Sequence, residues 1–477
     1  MKRRFLTLVV FGLCWLCHYA SAQADALYPI WENGLYGYMD ASGSPAIAAQ
    51  WESVSSFVHG YALVRDGMEY AVVDQEGRVV AGPRLAQDRR EYAINLRSIS
   101  FGDAVFDCLT GRLLSCPDDF DGQLYDAYAD ESAHLLLVVG DDRYGYLDRQ
   151  TGEWAIPPVF DTMSQDWLFG SDLFKLSHET SRAQFQNGYA VVGKDGHCYL
   201  INENNEPVPM QEDLRPVSQV VDGCFVVIDG QQRRGIADIE GNVRFLSDRY
   251  KEIRLQEGGV AVAFLPAPDH LCDLVTFLNL YGIELMKPVA FFAYERNIPR
   301  LQENHFIQSE DVTVGSALYS LAEGVLWYDD TLRIFWFDVA HDLLVGYAGE
   351  QPGDAWEDAC NTLRRLDDTV LLEGCDFPMG FAPDLPGWEN PPDLVRIQAG
   401  AVQRGAYFSE GLQAAAIRLE TGQLRYGYLN LDGEFVIAPT FLAAGNFLNG
   451  LALVATNEGL AYIDRNGRLV WESEPMF

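Results

Sequence analysis

Two stretches near opposite ends of the chain are close copies of each other. Residues 35–64 read LYGYMDASGSPAIAAQWESVSSFVHGYALV, residues 425–454 read RYGYLNLDGEFVIAPTFLAAGNFLNGLALV, and a constant offset of 390 aligns them without a gap. Tyr36, Gly37 and Tyr38 fall on Tyr426, Gly427 and Tyr428. Gly43 falls on Gly433, Ile47 on Ile437, Phe57 on Phe447, and Gly60, Ala62 and Val64 on Gly450, Ala452 and Val454. The match continues into a second unit, where Asp74 and Gly77 fall on Asp464 and Gly467, and within each end the turn glycine returns after 34 residues. A unit this short cannot bury its own apolar face, so a chain written this way must stack neighbouring units against one another.

The units read as strands. In YGYLNLDGEFVIAP, Tyr426, Tyr428, Phe435 and Ile437 alternate with a period of two around a turn, which is the signature of β-structure. Asn430 to Gly433 and Asp464 to Gly467 are turn tetrads: the first side chain caps the turn, and the glycine takes a positive φ. A glycine inside a strand, such as Gly427, marks a close approach by another backbone or an aromatic ring. Weaker copies lie between, clearly at 143–160 with Gly145, Tyr146 and Gly152, then at 185–208 and 233–245; residues 106–114 keep only the turn and 334–344 are marginal. Two all-β architectures satisfy the need to stack: a β-propeller-like array and an open β-solenoid. Open arrays need atypical capping repeats. Here the best copies are the terminal ones, and the segments 26–34 and 468–471 are suited to complete one another, which favours closure.

These residues resemble the WG-repeat family of bacteria, whose pattern is aromatic-Gly-Tyr, a turn glycine, Ile-x-Pro-x-Phe and Phe-x-x-Gly-x-Ala-x-Val. Tyr426-Gly427-Tyr428, Gly433, Ile437 to Pro439, Phe441, Phe447, Gly450, Ala452 and Val454 follow it, as do Gly145, Tyr146, Gly152, Ile156, Pro157 and Phe160. The family's tryptophan is tyrosine in three copies and Arg234 in another. The resemblance implies a β-rich repeat scaffold, commonly exported or surface-associated, with no established catalytic residues. The positions it singles out are structural: Tyr36, Gly37, Tyr38, Gly43, Phe57, Gly60, Gly145, Tyr146, Gly427, Tyr428, Gly433, Phe447, Gly450, Asp464 and Gly467.

The expected organisation is a signal peptide at 1–22, a repeat region at 26–264, degenerate repeats or an inserted, partly irregular or α-containing subdomain at 265–405, and closing repeats at 406–477. Residues 1–22 have the three parts of a secretory leader: Lys2, Arg3 and Arg4, an apolar run from Phe5 to Cys17, and the small residues Ala20-Ser21-Ala22. Export, with a secreted or cell-envelope location and no membrane span after cleavage, is the expectation. Residues 161–184 lengthen one unit and LFGSDLFKLSHE within them admits a short helix; the stretch from 266 to 288 could also hold a helix, and EDACNTLRRL at 357–366 has helical spacing. Residues 376–392 carry five prolines and read as loop.

The net charge is −35, and it grows more negative once the leader's bases are gone. Such a field repels nucleic acid and anionic lipid, so no nucleic-acid partner is expected. Outside the leader lie seven cysteines: Cys108, Cys116, Cys198, Cys224, Cys272, Cys360 and Cys375. Pairs 108–116 and 360–375 are close enough in sequence to bridge, with buried free thiols the equal alternative. The cysteines and histidines lack zinc spacing, and the metalloprotease, Walker A, nucleophile-elbow and dinucleotide motifs are absent. Setting Gly122 on an EF-hand glycine puts Pro117 and Tyr128 at ligand positions, which excludes that loop. No catalytic, cofactor-binding or metal-ligating residue is therefore assigned, and no cofactor. Trp51, Trp154, Trp327, Trp336 and Trp388 form either an exposed contact platform or plugs between sheets. The sequence thus points to an exported, noncatalytic scaffold that binds protein or carbohydrate; a glycan-active enzyme and a purely structural surface protein are the alternatives.

Overall fold

The computed structural model describes residues 26–85, 92–95, 97–101, 103–126, 133–161, 182–266, 273–291, 305–309, 316–329, 332–348, 360–376 and 408–473. The leader, nearly all of the 161–184 insertion and the proline-rich 377–392 lie outside them. Apart from helical residues 182–183, the regular structure of the described residues is β-strand, and the strands pair antiparallel, as in β1 with β2 below. Among the described residues the fold is all-β, an array of small antiparallel sheets of the propeller-like kind. It divides into two compact units: residues 1–85 with 334–477, and residues 86–333.

In the first unit, β1 (Tyr28–Glu32), β2 (Leu35–Met39) and β3 (Pro45–Trp51) form one meander. Strands β4 (Ser53–Val54), β5 (Tyr61–Asp66), β6 (Glu69–Asp74) and β7 (Val79–Leu85) form the next. Burial differs along each meander. The central strands β5 and β6 are buried on both faces through Ala62–Val64 and Tyr70–Val73, whereas β3 alternates, with Ile47 and Trp51 inward and Ala46, Ala48 and Gln50 outward. The period of two therefore shows best in the outer strands, while the central strands read as short continuous apolar runs.

The C-terminal end repeats this plan. Strands Gln413–Arg418, Leu424–Leu429 and Phe435–Phe441 close a seven-stranded sheet, and Ala443–Ala444, Leu451–Ala455, Leu460–Asp464 and Leu469–Glu472 form the last sheet. The two ends share one core: Tyr28, Ile30, Tyr38 and Met39 pack with Leu451, Leu453, Ala455, Leu460 and Tyr462. The Tyr28 ring meets that of Tyr462 edge-on at 5.7 Å, and its hydroxyl donates to the Asn449 carbonyl at 2.6 Å. The face that an open solenoid would leave bare is covered here by the chain's own far end.

The second unit contains consecutive meanders of the same kind, among them Ser98–Phe101, Ala104–Asp107 and Arg112–Ser115, then Gly122–Tyr125, Leu135–Gly140, Arg143–Asp148 and Trp154–Asp161. Where the segments 266–288 and 357–366 admitted helices, their described parts Asp273–Asn279 and Cys360–Arg364 are strands instead. Asp273–Asn279 pairs with Val260–Pro266 over seven residues, and Cys360–Arg364 pairs with strands on both sides. Both lie inside sheets: Val275, Thr276, Phe277 and Leu278 are all buried, so no alternation survives in the sequence to betray the strand.

For four of the cysteines the free-thiol alternative holds. Cys108 and Cys116 are unbridged, as are Cys198 and Cys224. Cys108 is buried beside Asp107, while Cys116 lies past the intervening hairpin and its Sγ donates to the Phe120 carbonyl at 3.1 Å. The backbone register sets Cys375 opposite Asn361, not opposite Cys360.

Candidate functional site

The repeat's signature residues converge on the junction between one sheet and the next. Tyr38 is fully buried at the end of β2 and donates its hydroxyl to the Ser55 carbonyl, 2.8 Å away in the following unit. Phe57 packs on its ring at 4.7 Å. The same clasp recurs 390 residues later, with Tyr428 donating to the Gly445 carbonyl at 2.7 Å and Phe447 on its ring at 4.7 Å. It recurs in the second unit, with Tyr146, the Ala183 carbonyl at 2.6 Å and Phe185 at 4.8 Å. Burial pushes all three phenols well above their ordinary range, so they stay protonated donors and offer no acid–base chemistry near neutrality.

The strand glycine explains why the tyrosine sits where it does. Register slips on either side of Gly37: Tyr36 faces Trp51 and Tyr38 faces Ile47, so β3 bulges across the glycine. A side chain at Gly37 would lie 2.5 Å from the Ile47 carbonyl oxygen; at Gly427 it would lie 2.4 Å from that of Ile437, and at Gly145, 2.6 Å from that of Ile156. The bulge closes over bare backbone and can close only there.

Two turns complete the unit. In the first, the Asp40 carboxylate accepts the amides of Ser42 and Ser44, and Gly43 follows with positive φ. Asp74, Asp464 and Asn430 make the same pair of bonds. Hydrogen bonding from Ser42 and the Ser44 amide hold Asp40 below the usual carboxylate range. At Asp74 burial acts upward but is outweighed by the Arg78 amide and guanidinium. Each turn presses on the preceding unit's outer strand, Gly77 against Ile47 and Gly467 against Ile437. Gly43 presses on Val470, so the first unit treats the last as its predecessor. The second turn pairs two positive-φ residues, His59-Gly60 and Asn449-Gly450, in a tight hairpin. Tyr38, Phe57, Tyr146, Tyr428 and Phe447 thus sit at junctions, and Gly43, Gly60, Gly450, Asp464 and Gly467 in turns.

One cluster escaped sequence reasoning. Arg97, Asp107, Asp126 and Arg149 are all at most 4% exposed. Arg97 Nε donates to Asp107 at 2.7 Å, Arg149 donates to the same Asp107 oxygen at 3.0 Å and also to Asp126, and Ser98 donates to Asp126. Burial alone would raise the Asp107 carboxyl; Arg97, the Thr110 amide and Arg149 bring it below its ordinary value instead. The neighbouring Cys108 thiol is pushed up to about 12 by burial and by Asp107 and Asp126, which leaves it unreactive. The four charges cancel and tie two adjacent sheets of the second unit together. They are spread along the sequence among 69 acidic residues, so nothing local marks them.

The aromatic platform is not built from the tryptophans whose side chains are described. Trp51 and Trp327 are buried, and Trp154 packs edge-on against Phe120 at 5.4 Å. Among the described residues no group of three or more His, Cys, Asp or Glu has the arrangement of a metal site. No described helix is long and apolar enough to cross a membrane.

The WG containing repeat family matches the chain at residues 36–67, 144–165 and 426–459, the three segments in which the tyrosine clasp and its glycine were found. Three segments of the chain match that repeat. No curated protein matches it. Among solved structures, BamB from Moraxella catarrhalis is similar at 13% identity and a TM-score of 0.27, over 73% of this chain and 90% of that one. Dipeptidyl peptidase 4 from Porphyromonas gingivalis is similar at 8% identity and 0.33, over 78% and 63%. A eukaryotic initiation factor is similar at 10% identity and 0.36, over 73% and 95%. The WG repeat is not a known enzyme signature, and its residues here are spent on packing.

Proposed function

We propose that this protein is an exported, noncatalytic scaffold that presents its repeat surfaces to a protein or carbohydrate ligand at the cell envelope or outside the cell. The observation that carries the reading is the use made of the repeated residues. Tyrosine, glycine and turn aspartate recur because each junction needs them, so the repetition builds a frame and leaves the outward positions of each sheet to vary. Ala46 and Gln50 in β3 give way to Val436 and Thr440 in its counterpart. Export rests on the leader-like residues 1–22.

Arrays of glycans and of peptides, probed with the purified protein, test the reading. Saturable binding without turnover of the ligand supports it. Turnover points to a glycan-active enzyme, and no saturable ligand to a purely structural surface protein. The exported protein's N-terminus, read by sequencing, is expected to begin just after Ala22; an intact leader contradicts export.

A further inference from the structure

Resting on the scaffold reading, we propose that the free edge of β3 accepts an extended, basic peptide as an added strand. The edges of repeat sheets are open templates for foreign strands, and proteins guard them with proline or charge. Three copies of this outer strand are guarded. The bulge that closes over the strand glycine carries Pro158 next to Gly145 and Pro439 next to Gly427, and β7 carries Pro83 and Arg84.

In β3 the same place is Ala49. Its nitrogen stands 2.6 Å from where a Gly37 side chain would begin; the nitrogens of Pro158 and Pro439 stand 2.8 and 2.7 Å from the corresponding points. The geometry is the same and the guard is missing. No residue of PAIAAQW is charged, and among the described residues β3 has a hydrogen-bonded neighbour on one side alone, β2. The ladder to β2 uses Pro45, Ile47 and Trp51 and passes over Ala48, Ala49 and Gln50. Because proline fills the Ala49 position in two sister strands, the fold needs no N–H there. The Gln50 amide folds back on the Ala48 carbonyl at 3.4 Å, a donor standing where an incoming strand's amide would.

The occupant follows from charge and from what faces it. A net charge of −35 repels a second copy of this chain and draws in a cationic one. Ile47 and Trp51 face inward while Ala46, Ala48 and Gln50 are neutral and exposed, so the added strand's aliphatic residues continue the inward face and its basic residues stand on the outward one.

The test uses the full chain and a fluorescent peptide of alternating lysine and valine, with an alternating glutamate and valine peptide as control. The Lys/Val peptide binds saturably, one per chain, and the Glu/Val peptide does not. Ala49→Pro, which copies Pro439, weakens binding at least tenfold while leaving the unfolding temperature unchanged. Ala48→Arg, at an exposed position, does the same by charge and covers the case in which the proline variant fails to fold. Saturable binding that neither variant weakens overturns the assignment to β3 while leaving the scaffold reading intact. Equal binding of the Glu/Val peptide overturns the basic specificity. Self-association of the wild type in sedimentation, abolished by Ala49→Pro, replaces the peptide with a second copy.

Discussion

At the scale of single residues, two positions decide whether a unit holds its neighbour. Tyr428→Phe keeps the ring and removes one hydroxyl, leaving the buried Gly445 carbonyl without its donor. The expected loss is about 1–3 kcal/mol in denaturant unfolding; an unchanged midpoint would mean that the clasp is only an ornament of packing. Gly427→Ala is harsher, because the new methyl would stand 2.4 Å from the Ile437 oxygen with no flexible atom to yield. A loss of about 3 kcal/mol or more is expected, at the upper end of overpacking costs. Such residues were legible in the sequence because each repeats and each has one physical reason to be glycine or tyrosine. Arg149 and Asp107 were not legible. Their partnership depends on which sheets become adjacent, and a single charged residue among many carries no trace of that.

At the scale of elements, turns and sheet contacts divide the work. The turn aspartates bond to their own backbone when ionised. Asp74 therefore has a lower carboxyl range folded than unfolded, and its stabilisation is complete above the unfolded value and is lost as pH falls through the folded one. Asp74→Asn keeps the acceptor oxygen, as Asn430 does naturally, but gives up the charge. The gap in unfolding temperature between wild type and this variant is expected to narrow as pH drops below about 4; a constant gap contradicts the charged-cap account. Between sheets of the second unit, Arg149→Ala leaves buried Asp126 without a guanidinium and Asp107 with Arg97 alone. A loss of about 3–5 kcal/mol is expected by chemical denaturation, and a near-neutral result would show the network to be solvated. Element type was readable wherever a strand had one wet face. It failed for Asp273–Asn279 and Cys360–Arg364, where burial on both sides erased the alternation and left spacings that suit a helix equally.

At the scale of the whole molecule, residues near the two ends of the sequence meet in one core within the first unit. The copy at 425–454 matches the one at 35–64 because both occupy the same kind of junction, and Gly43 finds Val470 where Gly77 finds Ile47. Tyr28 and Tyr462, 434 residues apart in sequence, are thereby brought ring to ring at 5.7 Å. A double-mutant cycle on this pair, with Tyr28→Ala, Tyr462→Ala and both together followed by denaturant unfolding, measures that contact and nothing else in the chain. The predicted coupling is about 0.5–1.5 kcal/mol, and effects that simply add would contradict the joining of first repeat to last.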